Sequence, residues 1–287
     1  MTPKRPLLRY HGGKWKLYPW IKEYLPPHRI YVEPYGGAGS VLLRKERSYS
    51  EVWNDLDGEV VNLFRVLRNP AQARELVRLV RLTPYAREEF ELSQIFDGDP
   101  VEQARRTLFR FAAGFSSGGA TNTNGRGTGF RGNVIRSGST PAHNWRDFPQ
   151  ALETIITRLR GVVIENRPAL DVIQQYDGPD TLHYIDPPYP FETRNERWAG
   201  KAYRHEMTDG DHRELASVLR DVAGMVIISG YACALYDCEL YPDWFRVTRE
   251  THANGAQKRI EVLWINDAAR AIDKFPLFQL DNGRSAT

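Results

Sequence analysis

The sequence predicts an α/β fold: a mostly parallel sheet of about seven strands, its last pair antiparallel, with a mostly helical insertion. Three observations carry this. Short apolar, β-branched runs recur along the 287 residues, and helical patterns lie between most of them. That alternation belongs to a parallel sheet covered on both faces. The last two runs follow each other across 252-HANGAQK-258 with no helix between, and Asn254-Gly255 is a hairpin turn signal.

The strands are read, in order, as 30-IYVE-33, 51-EVW-53, 162-VVIE-165, 182-LHYI-185, 225-MVIIS-229, 245-FRVT-248 and 260-IEVLWI-265. Between them, 58-GEVVNLFRVLR-68 repeats Val61, Phe64 (or Leu63) and Leu67 at helical spacing. A second helix is expected over 152-LETIITRLR-160. A third, 208-TDGDHRELASVLRDV-222, opens with Thr208 and Asp211 in a capping-box arrangement and lines Leu215, Val218, Leu219 and Val222 along one face. The alternation breaks between about 70 and 150. Helical patterns run to about Phe111, followed by the Gly-, Ser-, Thr- and Asn-rich 114-GFSSGGATNTNGRGTGFRGN-133. Residues 70–150 therefore read as an insertion between the second and third strands.

Composition narrows the class. Hydrophobic residues at 41% and charged residues at 26% fit a globular chain long enough for a substantial core. No run of about 18 apolar residues exists to span a membrane. The N-terminus has no apolar stretch of signal-peptide length. Two cysteines, Cys233 and Cys238, form neither a zinc pattern nor a disulfide framework, so a cytoplasmic location is expected. Net charge is only +3, but it is unevenly placed. From Gln103 to Arg146 there is no acid, and seven arginines leave −4 for the rest of the chain. Localised basic charge is the footprint of a polyanion-binding surface.

Three segments carry chemistry. In 31-YVEPYGGAGSV-41 a strand ends at Glu33-Pro34, and small residues then let the backbone approach a ligand. The G-x-G-x-x-G dinucleotide fingerprint and the P-loop lysine are both absent. In 52-VWNDLDGEV-60, Asp55 ends the second strand, where nucleotide-binding sheets hold ribose hydroxyls. The alternative for this pair is helix capping by Asp55 or Asp57. In 184-YIDPPYP-190, Asp186 ends the fourth strand and faces the same ligand edge. Pro187 and Pro188 fix φ and hold backbone carbonyls in set directions. A carboxylate and a fixed carbonyl suit the two N–H donors of an exocyclic amine, and Tyr189 offers a ring to stack on its heterocycle.

These motifs together, DPPY with EPYGGAGS and the N-terminal 8-LRYHGGKWKL-17, resemble the Dam-type class of DNA adenine-N6 methyltransferases. The later 227-IISGY-231 and 258-KRIEVLWIN-266 resemble that family's closing strands, so the resemblance covers most of the chain outside the insertion. It implies a Rossmann-like sheet binding S-adenosyl-L-methionine (AdoMet). Residues 1–69 and 151–287 would form the catalytic domain, and 70–150 the DNA target-recognition insertion. Tyr10, Lys14, Glu33, Pro34, Tyr35, Gly36, Ala38, Gly39, Asp55 and Asp186 match cofactor-binding positions, with Asn166 placed near the cofactor's adenine. Asp186, Pro187, Pro188 and Tyr189 match the catalytic motif.

The implied reaction moves a methyl group from AdoMet to N6 of an adenine flipped out of double-stranded DNA, leaving S-adenosyl-L-homocysteine and using no metal. Arg110, Arg126, Arg131 and Arg136 are the expected DNA contacts. No membrane is involved, no protein partner is assigned, and the oligomeric state stays open, a monomer being one option. The insertion lacks the Asn- and Tyr-rich pattern of members that read GATC, so no target sequence carries over. Three alternatives stay open: the same chemistry on RNA adenine, methylation of a protein glutamine, and a non-catalytic AdoMet- or DNA-binding protein.

Overall fold

A computed structural model describes residues 2–114, 129–132, 140–194, 203–252 and 258–271, with only the backbone of 252, 258 and 271. The strands are β1 (Ile30–Glu33), β2 (Ser50–Asn54), β3 (Val162–Glu165), β4 (Thr181–Ile185), β5 (Met225–Tyr231), β6 (Phe245–His252) and β7 (Lys258–Ile265). They form one sheet in the order β3-β2-β1-β4-β5-β7-β6. Strands β1 to β5 run parallel, while β7 is antiparallel to both β5 and β6. All seven expected strands are present. Strand β6 runs four residues past the expected end because its last part, Arg249 to His252, is a polar edge paired to β7, which hydrophobicity alone does not register. The expected Asn254-Gly255 turn lies outside the described residues.

The helices are α1 (Tyr18–Ile21), α2 (Ser40–Arg44), α3 (Gly58–Arg68), α4 (Pro70–Leu82), α5 (Arg87–Leu92), α6 (Pro100–Ala113), α7 (Pro141–Arg146), α8 (Phe148–Leu159), α9 (Ala169–Gln175), α10 (Asp209–Asp221) and α11 (Asp267–Ala271). Several start the same way. Asn69, Asp99 and Thr140 cap α4, α6 and α7 with side-chain acceptors, and each helix opens on proline, whose missing N–H and fixed φ suit the first turn. Both halves of the capping box at Thr208 and Asp211 are made. Along α10 the buried face is His212, Leu215, Ala216 and Leu219. It is rotated toward His212, whose ring meets Tyr236, so Val218 and Val222 sit at its margin.

Residues alternate between the two faces of the sheet. Tyr31, Trp53, Leu182 and Tyr184 point into the largest apolar cluster, which also holds Leu76, Val80, Leu108, Phe109 and Trp145 of the insertion. On the opposite face Ile185, Val226 and Ile228 pack on Leu215 and Leu219 of α10, and Val32 and Val52 pack on Val172 of α9. Helix α3 explains the shared cluster. It is buried on two sides, at Val60, Val61, Leu63, Phe64, Val66 and Leu67, because it lies between the sheet and α6. The described residues of 70–150 thus pack into the same core as the sheet. The expected boundary at 150/151 falls inside α8.

One buried ionic knot fastens α8 to the sheet. Glu51 of β2 accepts from both terminal nitrogens of Arg158 at 2.7 and 2.8 Å and from Lys45 Nζ at 2.9 Å. All three side chains are at most 5% exposed. A buried carboxylate serving two cations cannot be removed alone without stranding them. Glu51→Ala is expected to lose about 3–5 kcal/mol of stability in chemical denaturation, and Glu51→Gln, which keeps an acceptor, less.

Candidate active site

The sheet order reverses at β1, which has β2 on one side and β4 on the other. Ligands of open α/β sheets bind outside the strand C-termini at such a point. Glu33 and Asp186, at the ends of β1 and β4, both open onto it. After β1 the chain turns through Pro34 to Gly39 into α2. A Cβ on Gly36 would overlap the Trp53 indole directly beneath it. Gly39, at φ 61°, adopts the left-handed conformation that starts α2. Trp53 is itself stacked on Phe64 at 3.8 Å between centroids, so the floor under the turn does not yield.

Buried polar side chains tie the turn to the strand ends. Asn54 donates to the carbonyls of Pro34 and Arg167 and accepts from Arg167 N–H, joining the ends of β1, β2 and β3. Asp55 accepts from Gly37 N–H at 2.7 Å and from Asp57 N–H at 2.8 Å. Asp57 takes the cap of α3, which resolves the choice between these two acids. Burial raises the Asp55 carboxyl to about 6 against those two N–H donors. Glu33 accepts from Tyr31 Oη at 2.9 Å and Leu42 N–H at 3.0 Å, and burial pushes it up to about 8 despite them.

Opposite the turn stands Lys14, 2% exposed. Its ammonium lies 2.8 Å from Asp186 Oδ1 and donates to Gly12 O at 2.7 Å. Burial lowers the Lys14 pKa, but Asp186 and then Glu261 outweigh it and keep the amine charged. Burial also raises the Asp186 carboxyl, opposed by Lys14. The ammonium sits 4.9 Å from the centre of the Tyr189 ring, and Tyr231 meets that ring edge-on at 4.8 Å.

Residues 203–207 complete the wall. Arg204 spans Asp57 at 2.9 Å and Glu59 at 2.8 Å, and Glu206 pairs with Arg194 at 2.6 Å. The resulting pocket is lined by Tyr10, Lys14, Glu33, Pro34, Tyr35, Gly36, Ala38, Asp55, Asp186 and Pro188 among others. Sequence reasoning missed Asn54, Arg204 and Glu261. Only Glu261 left a signal, as an acid inside an otherwise apolar strand.

Other expected site residues sit elsewhere. Tyr189 is 4% exposed and lies under the Lys14 ammonium rather than in the wall. Pro187 is buried, and Gly39 packs away from the pocket, against Phe64. Asn166 is exposed and donates to Asp55 O, bracing the acid rather than lining the pocket.

The basic stretch needs a correction. Arg110, expected on DNA, is 9% exposed and ion-paired to Glu59. Arg105 pairs with Glu89 and Glu102, Arg106 with Asp97 and Glu102, and Arg146 with Asp147. Acids distant or just outside the stretch neutralise these four. Arg131 is half-buried beside Arg5 and Arg9 in a second cleft. Arg126 and Arg136 lie outside the described residues.

A family model described as D12 class N6 adenine-specific DNA methyltransferase matches residues 10–259, which include every element of this pocket. The chain belongs to that family. Among relatives, DNA adenine methylase of Escherichia coli (strain K12) is 31% identical over 136 residues, covering 44% of this chain and 46% of that protein. DNA adenine methylase of Vibrio cholerae serotype O1 is 34% identical over 73 residues, covering 25% and 26%. The chain thus spans less than half the length of the curated relatives it matches.

For this D12 member the Gly turn yields a direct test. Gly36→Ala forces a methyl into the Trp53 ring, and overpacking of this kind costs about 1–3 kcal/mol. Gly58, with open space around its Cβ position, is the control. Thermal melts should show a clear loss for Gly36→Ala and none for Gly58→Ala.

Proposed function

We propose that the protein transfers a methyl group from AdoMet to N6 of an adenine flipped out of double-stranded DNA. The observation that carries this reading is the buried Lys14–Asp186 pair at the open side of the Gly-turn pocket. It sets a hydrogen-bond acceptor for an amine beside a cradle for a nucleoside.

The residues present fit AdoMet. The turn from Gly36 to Ala38 offers backbone without bulky side chains, and Asp55 stands at the β2 end where ribose hydroxyls bind. When bound, AdoMet supplies an electrophilic methyl group. The rest is positioning. Asp186 accepts an N–H of the adenine amine and turns the nitrogen lone pair toward the methyl. Pro187 and Pro188 fix the carbonyls that accept the second N–H. Pro188 lines the pocket, and Tyr189 under the Lys14 ammonium offers a ring face once Lys14 moves aside. The Tyr10 ring stacks at 5.7 Å on Phe111 of α6, connecting this pocket to the Arg5, Arg9 and Arg131 cleft that Phe111 also lines. A duplex laid along that cleft would have its phosphates beside the cations and its target base beside Asp186. The insertion would thus act as the DNA-reading part, with Arg131, Arg126 and Arg136 as contacts and Arg110 as internal support.

Incubation with labelled AdoMet and unmethylated duplex DNA, followed by digestion to nucleosides, should give labelled N6-methyldeoxyadenosine. Asp186→Ala should lower the rate by about 10²–10³, with its circular dichroism spectrum confirming the fold. Wild-type turnover in that variant would refute the role given to Asp186. Arg131→Ala should weaken duplex binding and reduce the slope of log affinity against log salt by about 1, as measured by fluorescence anisotropy. An unchanged slope would remove Arg131 from the interface.

A further inference from the structure

Glu261 lies at the back of the DPPY motif, and the mechanism above does not use it. It sits in β7 opposite Tyr231 of β5 and Arg249 of β6. Its side chain is 6% exposed, and its Oε2 accepts from Tyr189 Oη at 3.3 Å. The charges facing it are Lys14 and Asp186, with Tyr189 hydrogen-bonded to it. Tyr231 faces it from β5 and Tyr184 from β4, Arg259 of its own strand lies over the Tyr231 ring, and Arg249 is exposed on the edge strand. Burial raises the Glu261 carboxyl to about 7, Lys14 opposing and Asp186 adding to the rise.

A glutamine here would fill the same space and still accept from Tyr189 without placing a second carboxylate near Asp186. An acid that folding disfavours at this position therefore needs a reason in the site. Lys14 supplies one: its ammonium contacts Asp186 at 2.8 Å, and Glu261 acts on the same charge from beyond contact distance. When Glu261 is protonated, Lys14 is drawn wholly to Asp186 and covers the oxygen an amine must reach. When Glu261 is ionised, it competes for the ammonium. Lys14 lies over the Tyr189 ring, and the Tyr189 hydroxyl is held by Glu261, so the same competition governs access to that ring.

We propose that Glu261 is a positioning residue for methyl transfer: it shares the Lys14 ammonium with Asp186 and anchors Tyr189, freeing Asp186 to receive the adenine amine. This rests on the reading under Proposed function. It makes the site a three-charge cluster of Glu261, Lys14 and Asp186 rather than a simple ion pair.

The test combines titration, stability and rate. In protein labelled with 13C-glutamate, a carboxyl resonance absent from Glu261→Gln should titrate near neutral pH. Its midpoint should rise in Lys14→Met and fall in Asp186→Asn. The folded state holds this proton more tightly than the unfolded chain, so the stability of wild type should fall relative to Glu261→Gln as pH rises toward about 7.

In the methylation assay the wild-type rate should increase from pH 6 to pH 8, whereas Glu261→Gln should be slower at pH 8 by about tenfold and flat across that window. Glu261→Asp, which keeps the charge, should restore part of the rise. A midpoint in the ordinary carboxylate range, or a Glu261→Gln profile matching wild type, overturns the inference. If wild type methylates no DNA, the functional reading fails instead, and the titration shifts in the Lys14 and Asp186 variants still decide the charge cluster.

Discussion

A lysine ammonium withdrawn from water must be paired, and in this protein the pairing organises the site. Lys14 comes from an N-terminal segment outside the sheet, and Asp186 ends a central strand. Burying either charge alone would be strongly unfavourable. Their contact therefore pins the segment from Tyr10 to Lys14 across the strand ends and closes one wall of the pocket. Tyr189, packed under that ammonium, is held in the same arrangement.

The opposite wall is built differently. There the constraint is steric, and it comes from below. Trp53 stacked on Phe64 forms a rigid floor that excludes a side chain at Gly36, so bare backbone is all that can pass above it. Asn54 and Asp55, at the end of β2, hold that backbone through Pro34 O and Gly37 N–H, and Asn54 also reaches Arg167 O after β3. A pocket with one electrostatic wall and one backbone wall suits a ligand with a charged end and a flat polar end, the shape of the AdoMet proposed to bind there.

Charge in this chain is assigned by folding rather than by spacing. The acid-free stretch from Gln103 to Arg146 reads as a cationic surface, yet four of its arginines meet carboxylates: Glu59, Glu89, Asp97, Glu102 or Asp147. Arg110 reaches back to Glu59 at the start of α3 because α6 packs along that helix. Glu59 also holds Arg204, so one acid links the insertion, the third helix and the segment that walls the pocket. Arg131 of the stretch instead lines a cleft with Arg5 and Arg9 of the N-terminal segment.

The strands, the capping box and the positions of Glu33, Asp55 and Asp186 were legible in the sequence. They depend on periods of two and 3.6 residues and on cap chemistry, which act over a few neighbours. Parallel pairing then carries the ends of β1, β2 and β4 to one edge, so the candidate site was largely readable from strand order. The placement of β7 between β5 and β6, the burial of Tyr189 under Lys14, and Glu261 set against Lys14 and Asp186 were not readable. Nor was the shared core of the insertion and the sheet. Each joins residues far apart in the chain, and only packing and the need to neutralise buried charge choose such partners.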